Sequence, residues 1–421
     1  MQGQNKTVPH AKSTSKEVLP GAYQLENYLP LLKEKRVGIF ANQTSMVGNK
    51  HLVDTLQKLG IKIRVIFGPE HGFRGTADAG EKVGDYIDEA TGVQVVSLYG
   101  AKRRPNAKDL EEVDVLIFDI QDVGVRFYTY ISSLEAYMES AMEFNKPLIL
   151  LDRPNPNGNY VDGPVLDLRY RSFIGMQQVP IAYGMTIGEY AKMLEGEKWI
   201  KIESNKPAET AAADAPVSVA GAPLLAAENT SAYKLYVIPC KNYTHLSTYL
   251  LPVRPSPNLP DMQSIYLYPS TCLFEGTALS EGRGTNRPFQ LIGHPSLSKK
   301  LIPFTPQPNE GAKSSKHYGQ VCYGWDFGGT VDEVAQKINR RIQLKWLLEA
   351  YRQFPNKDSF FLVPKNGDIS KSFFNKLAGN DLLMEQIKQG KTEDEIRKSW
   401  QPALQQFKAI RKRYLLYPDF E

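Results

Sequence analysis

No apolar run in the 421 residues approaches the roughly 18 that a membrane-crossing helix needs. The longest candidates, at 115–118 and 147–151, are strand-sized. Cysteine is scarce. Cys240, Cys272 and Cys322 stand far apart, and no CxxC or Cys/His spacing marks a metal site. An odd number cannot pair completely within one chain, and a chain of this length builds its core without disulfides. Excess charge of one sign is lacking too. Fifty-one Lys and Arg against 46 Asp and Glu leave a net charge of +5, too mild for a dedicated nucleic-acid binder. The basic clusters at 102–104 and 411–413 are short and read as solvated faces. GxSxG, Walker A and HExxH are missing, and no GxGxxG follows the first expected strand, which argues against a dinucleotide cofactor. The first 17 residues are polar without the apolar centre of a signal peptide, so 1–18 are expected to be a disordered lead-in.

What remains is ordinary globular composition, with 42% hydrophobic and 23% charged residues. From Arg36 the pattern becomes regular. Strands are expected at 36–41, 61–67, 93–98, 114–120 and 147–151, and helices at 50–59 and 128–144. Continuous apolar strands alternating with helices predict a parallel sheet covered on both faces. Residues 19–159 are therefore expected to form a Rossmann-like α/β domain, and 160–421 a second, α+β domain. In the latter, capping boxes at Thr186, Thr330 and Thr392 open helices, and Pro402 should kink or interrupt the last one. Strands are expected at 235–239 and 265–268, and an Ala-rich surface insertion at 206–229.

In open parallel sheets, ligands bind at the carboxyl ends of the strands. Polar side chains collect there: Asn42 and Gln43 after the first strand, Glu70 and His71 in GPEHG after the second, Asp119, Gln121, Asp122 and Arg126 around the fourth, Arg153 and Asn155 after the fifth. Glycine and proline on both sides of Glu70 and His71 fix a tight turn that displays a carboxylate suited to general acid or base chemistry. The alternative is a glutamate that caps a turn. His71, Asp119 and Asp122 together are also a conceivable cation site, and Asp119 with Arg126 an internal ion pair that holds loops. A third cluster lies further on. Pro255-Ser-Pro-Asn258 is a rigid turn, and Glu275, Glu281, Arg283 and Arg287 follow among glycines that permit close approach of a ligand.

These motifs have a familiar order. NQTS at 42–45, FGPEHGFRG at 67–75, DAGEKV at 78–83, SLYG at 97–100, DIQDVGVRFYTYI at 119–131, LDRPNPNG at 151–158, PSPNLP at 255–260, CLFEGTALSEGRGTNRPF at 272–289 and RYLLY at 413–417 succeed one another. The set closely resembles the NamZ family of exo-β-N-acetylmuramidases, first described as the domain-of-unknown-function family DUF1343, over nearly the whole chain from about Leu19. The resemblance implies two subdomains with an active site in the cleft between them. It also implies hydrolysis of a non-reducing terminal β-1,4-linked N-acetylmuramic acid from peptidoglycan fragments, during cell-wall turnover. No cofactor or metal is implied.

Glycoside cleavage usually uses two carboxyl groups. The resemblance carries the acid to Glu70. Asp122, Glu275 and Asp119 stand as candidates for its partner, and the 2-acetamido oxygen of the substrate is an internal alternative. Glu281, within the LSEGRG stretch, is a further binding candidate. The lactyl carboxylate of the sugar calls for arginine. Arg283 and Arg287 are favoured over Arg153 and Arg126, and Arg74 of the FGPEHGFRG motif is a further binding candidate. Asn42, Gln43, His71, Gln121, Asn155 and Asn258 are suited to hydroxyl and amide contacts, and Tyr128 and Tyr130 to stacking on a sugar face. The partner expected is a peptidoglycan-derived oligosaccharide or muropeptide, with no nucleic acid and no membrane span. An exported, periplasmic location is expected from the substrate. Two other readings compete, a non-catalytic muropeptide-binding envelope protein and a metal-dependent hydrolase.

Overall fold

The computed structural model describes residues 16–70, 72–75, 84–202 and 233–421. The expected lead-in up to residue 15, His71, the DAGEKV motif and the Ala-rich segment at 206–229 lie outside the described residues.

A seven-stranded sheet organises the first half. Its strands are β1 (Arg36–Ala41), β2 (Lys62–Gly68), β3 (Tyr86–Ile87), β4 (Gln94–Ser97), β5 (Val115–Asp119), β6 (Leu148–Leu151) and β7 (Leu235–Ile238), in the order β7-β6-β5-β1-β2-β4-β3. All pairings are parallel except the edge strand β3 on β4. Register explains the continuous apolar sequences. Ile66, Ile39, Ile117 and Ile149 align as one row across four strands, and Phe67, Phe40, Phe118 and Leu150 as the next. Successive side chains point to opposite faces, so both faces need apolar cover. The isoleucine row packs with Tyr28, Leu32, Leu52 and Leu56. The phenylalanine row packs on Tyr137 of the helix Tyr130–Glu143, with Phe40 and Tyr137 ring centroids 5.2 Å apart.

Strand β7 lies well beyond residue 159, so the sheet is completed by chain from the second half. The segment at 265–268 is not a strand. It sits inside the helix Met262–Thr271, where Asp261 caps the start by accepting from Ser264 N at 2.8 Å. A short apolar run buried on all sides carries no period that separates strand from helix. The three capping boxes form as expected, at Thr186 with Glu189, Thr330 with Glu333 and Thr392 with Glu395. Pro402 does not interrupt its helix, which runs Glu393–Arg411. Ile396, Trp400, Leu404 and Phe407 bury one stripe of it, and that packing outweighs the lost N–H. A three-stranded antiparallel sheet, β8 (Leu291–His294), β9 (Ile302–Phe304) and β10 (Cys322–Asp326), completes the second half. No helix among the described residues is long and apolar enough to cross a membrane.

The chain end returns to the sheet. Tyr417 donates its hydroxyl to the fully buried Asp152 at 2.5 Å and accepts from Cys240 N at 2.8 Å. Asp152 also accepts from Gly188 N and the Thr186 hydroxyl, which binds the end of β6 to the start of the helix Ile187–Gly196. Tyr417→Phe strips both bonds and leaves a buried N–H without a partner. It should lower unfolding stability in urea by about 1–3 kcal/mol; an unchanged midpoint and slope would show that the terminus does not clamp the sheet.

Candidate active site

A cavity of about 870 Å³ opens where the carboxyl ends of the strands meet the second half. From the first half come Glu70 after β2, Tyr99 and Arg103 after β4, and Phe127 to Tyr130 after β5. Phe173 and Ile174 add an apolar patch. From the second half come Tyr268, Cys272, Glu275, Arg283 and the stretch from Gly311 to Ser314. The cavity thus lies at the topological switch of the sheet, where β1 connects to one side and β5 lies on the other.

Glu70 is the acidic group that the parallel sheet presents to this cavity. Tyr99 hydrogen-bonds to it, and burial together with the Glu70 charge pushes the Tyr99 hydroxyl up to about 12. Tyr130 stands nearby, held by Asn42 Nδ2, which donates to its hydroxyl at 2.8 Å. Tyr128 lies edge-on to Tyr130 with centroids 4.9 Å apart and donates to the carbonyl of Pro255 at 2.9 Å. Both tyrosines line the cavity and are at the same time buried members of the main apolar cluster.

Glu275 supplies the second carboxylate in the cavity lining. Its Oε1 accepts from Arg283 at 3.1 Å and from the Cys272 thiol at 3.4 Å. Arg283 reaches Glu281 at 3.5 Å, and Lys316 meets the other Glu281 oxygen at 2.9 Å. Gly282 and Gly284 flank Arg283 with φ of 79° and 78°, left-handed conformations that glycine adopts without a Cβ penalty. The glycines anticipated around Arg283 therefore turn its side chain back onto the two glutamates. Glu281 belongs to this network and is not itself part of the cavity lining.

Most other expected ligands are held elsewhere. Asp119 pairs with Arg153 at 2.6 and 2.8 Å, both buried, so the internal ion pair exists with Arg153 and not with Arg126. Arg126 is fully buried and donates to the carbonyls of Pro164, Val179 and Leu377. Arg287 is bidentate to Asp326 at 2.6 and 2.5 Å. Arg74 is bidentate to Asp88 at 3.0 and 2.8 Å. Gln121 donates to the carbonyls of Asp122 and Pro154, and Asn155 to that of Met185. Asp119, Arg153, Arg126, Gln121 and Asn155 are structural because a buried polar group must be paired, whereas Arg287 and Arg74 are half-buried and held by their aspartates. Gln43 and Asn258 act one step back. Gln43 donates to Pro255 O at 3.1 Å, and Asn258 holds Gly311 O at 2.7 Å, fixing part of the cavity wall.

Asp122 lies behind the tyrosines. One oxygen accepts from Gly124 N and from the Tyr183 hydroxyl, while the other is buried without a hydrogen-bond partner among the described residues. Burial pushes this carboxyl up to about 6. Asp119, paired through both oxygens with Arg153, is not free to ligate a cation.

Several lining residues carried no sequence signal of their own. Arg103 belongs to the basic cluster read as solvated, yet its guanidinium stacks 4.0 Å from the Phe173 ring centroid. Tyr99 lies in the SLYG motif, just past the end of β4, and that position was the one available pointer. Phe173, Tyr268, Lys313 and Phe373 reach the cavity only through the tertiary fold.

Comparison with known proteins decides the family. The NamZ N-terminal exo-β-N-acetylmuramidase model matches residues 37–263, and the NamZ C-terminal model matches 266–417. The chain belongs to the NamZ family. The two models meet inside the helix Met262–Thr271, consistent with β7 completing the first sheet. A peptidoglycan β-N-acetylmuramidase NamZ of Bacillus subtilis is 37% identical, over 93% of this chain and 89% of its own length. A crystal structure of a DUF1343 protein from Bacteroides fragilis superposes with a TM-score of 0.80 at 42% identity, covering 96% of this chain and all of its own. A second one from that organism gives 0.73 at 26% identity, over 95% of this chain and 99% of its own.

The buried Asp122 yields a pH prediction. Its carboxyl holds a proton more tightly folded, at about 6, than unfolded, near 4, so folding takes up a proton between these values. The stability of wild type relative to Asp122→Asn should fall by on the order of 3 kcal/mol as pH rises from 4 to 6, then stay level. Parallel denaturation curves of the two proteins at pH 4.5 and pH 7 test this, and equal differences at both would refute it.

Proposed function

We propose that this NamZ-family glycosidase removes non-reducing terminal N-acetylmuramic acid from peptidoglycan fragments, with Glu70 as the acid and Glu275 as the second carboxylate. One observation carries the assignment: Glu70 and Glu275 are the two carboxylates that line the cavity among the described residues, one from each half of the chain. Glycoside cleavage asks one carboxyl group to protonate the leaving oxygen and another to serve as a negative charge at the anomeric centre. Glu275, bonded to the Arg283 guanidinium, suits the role that stays charged. Glu70, in a turn at a strand end and bonded to Tyr99, then has the donor role. The second carboxylate either attacks, activates water or orients the acetamido oxygen of the substrate.

Two further parts of the reading follow from the substrate. Peptidoglycan lies outside the cytoplasmic membrane, which supports an exported, periplasmic site of action and a place in recovery of cell-wall sugars. Fractionation of the source cells checks this, and recovery only with cytosolic markers would remove it.

Release of free sugar from a chromogenic β-N-acetylmuraminide tests the chemistry. Glu70→Gln and Glu275→Gln should each lower kcat by roughly 10²-fold or more with unchanged thermal unfolding. Treatment of wild type with EDTA should leave the rate unaltered. A folded wild type that binds muropeptide tightly without turnover would replace the enzyme reading with a binding protein.

A further inference from the structure

The charged groups of the cavity are not equivalent. Arg283 already meets two carboxylates, Glu275 and Glu281. Its charge is compensated within the protein, and turning it toward an anionic ligand would strip Glu275 of its partner. Arg287, the other favoured arginine, is bidentate to Asp326. Arg103 is different. Among the described residues it forms no ion pair with a carboxylate, and its guanidinium lies against aromatic rings, 4.0 Å from the Phe173 centroid and 5.6 Å from that of Tyr99.

That packing has a geometric consequence. A ring takes up one face of a guanidinium and leaves its N–H edge available. The edge is the part that binds a carboxylate through two parallel hydrogen bonds. Stacking also removes much of the side chain's freedom, so little order has to be gained on binding. Tyr99 contacts Arg103 on one side and hydrogen-bonds Glu70 on the other, which puts the cation beside the acid. A sugar with a carboxylate on its 3-substituent and the scissile bond at its anomeric carbon needs those two groups in one pocket.

We propose that Arg103, stacked on Phe173 and Tyr99, is the specificity residue that receives the lactyl carboxylate of the terminal sugar. The inference rests on the glycosidase reading above. It turns the preference for an acidic sugar over a neutral one into a property of the loop after β4, and assigns Arg283 to the upkeep of Glu275.

The test compares two chromogenic substrates, the β-N-acetylmuraminide and the same compound with its lactyl carboxyl converted to the amide. The readout is the ratio of their kcat/KM values in wild type, Arg103→Met and Arg103→Lys. Methionine keeps the apolar contact with Phe173 and removes the charge. Loss of a charge-assisted bidentate contact should cut the ratio about 10- to 100-fold in Arg103→Met, chiefly through KM on the acidic substrate, with Arg103→Lys between. An unchanged ratio in a folded Arg103→Met overturns the proposal. So does a collapse of the ratio in Lys313→Met with Arg103→Met left at the wild-type value, because the receptor would then be Lys313. If wild type turns over neither substrate, the glycosidase reading fails first. If it turns over both and Arg103→Met keeps the preference, only this assignment fails.

Discussion

The ion pair of Asp119 with Arg153 is the interaction beneath the candidate active site. Asp119 ends β5, Arg153 follows β6, and neither side chain is more than 3% exposed. Buried charges are tolerated only when their partners and hydrogen bonds are complete, and removing one partner costs about 3–5 kcal/mol. Arg153 fulfils this by adding a bond to Met46 O at 3.1 Å, which draws in the loop after β1. Three strand ends are thereby locked to one another. Above this level the polar residues of the strand-end loops obey the same rule. Gln121, Asn155 and Asn42 spend their amides on neighbouring carbonyls or on Tyr130. The second half covers the edge of the sheet where an open α/β protein meets solvent, and the edge satisfies itself.

Arg126 extends the argument to the joint between the halves. It is a buried guanidinium held by backbone carbonyls alone, from Pro164, Val179 and Leu377. Burial pulls its pKa down to about 9, still high enough for it to stay charged at neutral pH. Its contact with Leu377 falls in the last turn of the helix Phe373–Ala378, where unsatisfied carbonyls favour a cation. Gly379 follows that helix, and a Cβ there would lie 2.6 Å from the guanidinium. Leu377 itself lines the cavity. A residue from the DVGVRFY stretch of the first half therefore sets the position of a wall built by the second.

The sheet was legible because its apolar runs have strand length and alternate with helices of clear period. The site was legible as a location, since strand ends carried the polar clusters, and Glu70, Glu275, Arg283 and Tyr128 do line the cavity. Individual roles were not. A sequence shows that Asp119, Arg126 and Arg153 are charged and near strand ends, and whether they face a ligand or each other depends on what covers them. The same blindness worked in reverse for Arg103. A basic triplet between strands reads as a solvated face, and only the loop carrying Phe173, remote in sequence, gives it a surface to stack on.

Charged side chains from both halves line the cavity: Glu70, Arg103, Glu275, Arg283 and Lys313. Each ionised group that lines it must be offset by the protein or left for the ligand to offset. Glu275 is offset by Arg283, and Glu281 by Arg283 and Lys316. Aromatic rings fill much of the remaining surface, with Tyr128 in edge contact with both Tyr130 and Tyr268. Such rings offer apolar faces to a pyranose while their hydroxyls are anchored, Tyr130 by Asn42 and Tyr128 on Pro255. Rigidity follows from the anchoring. A wall fixed by hydrogen bonds made elsewhere is ordered before any ligand arrives, so little conformational freedom is left to lose on binding.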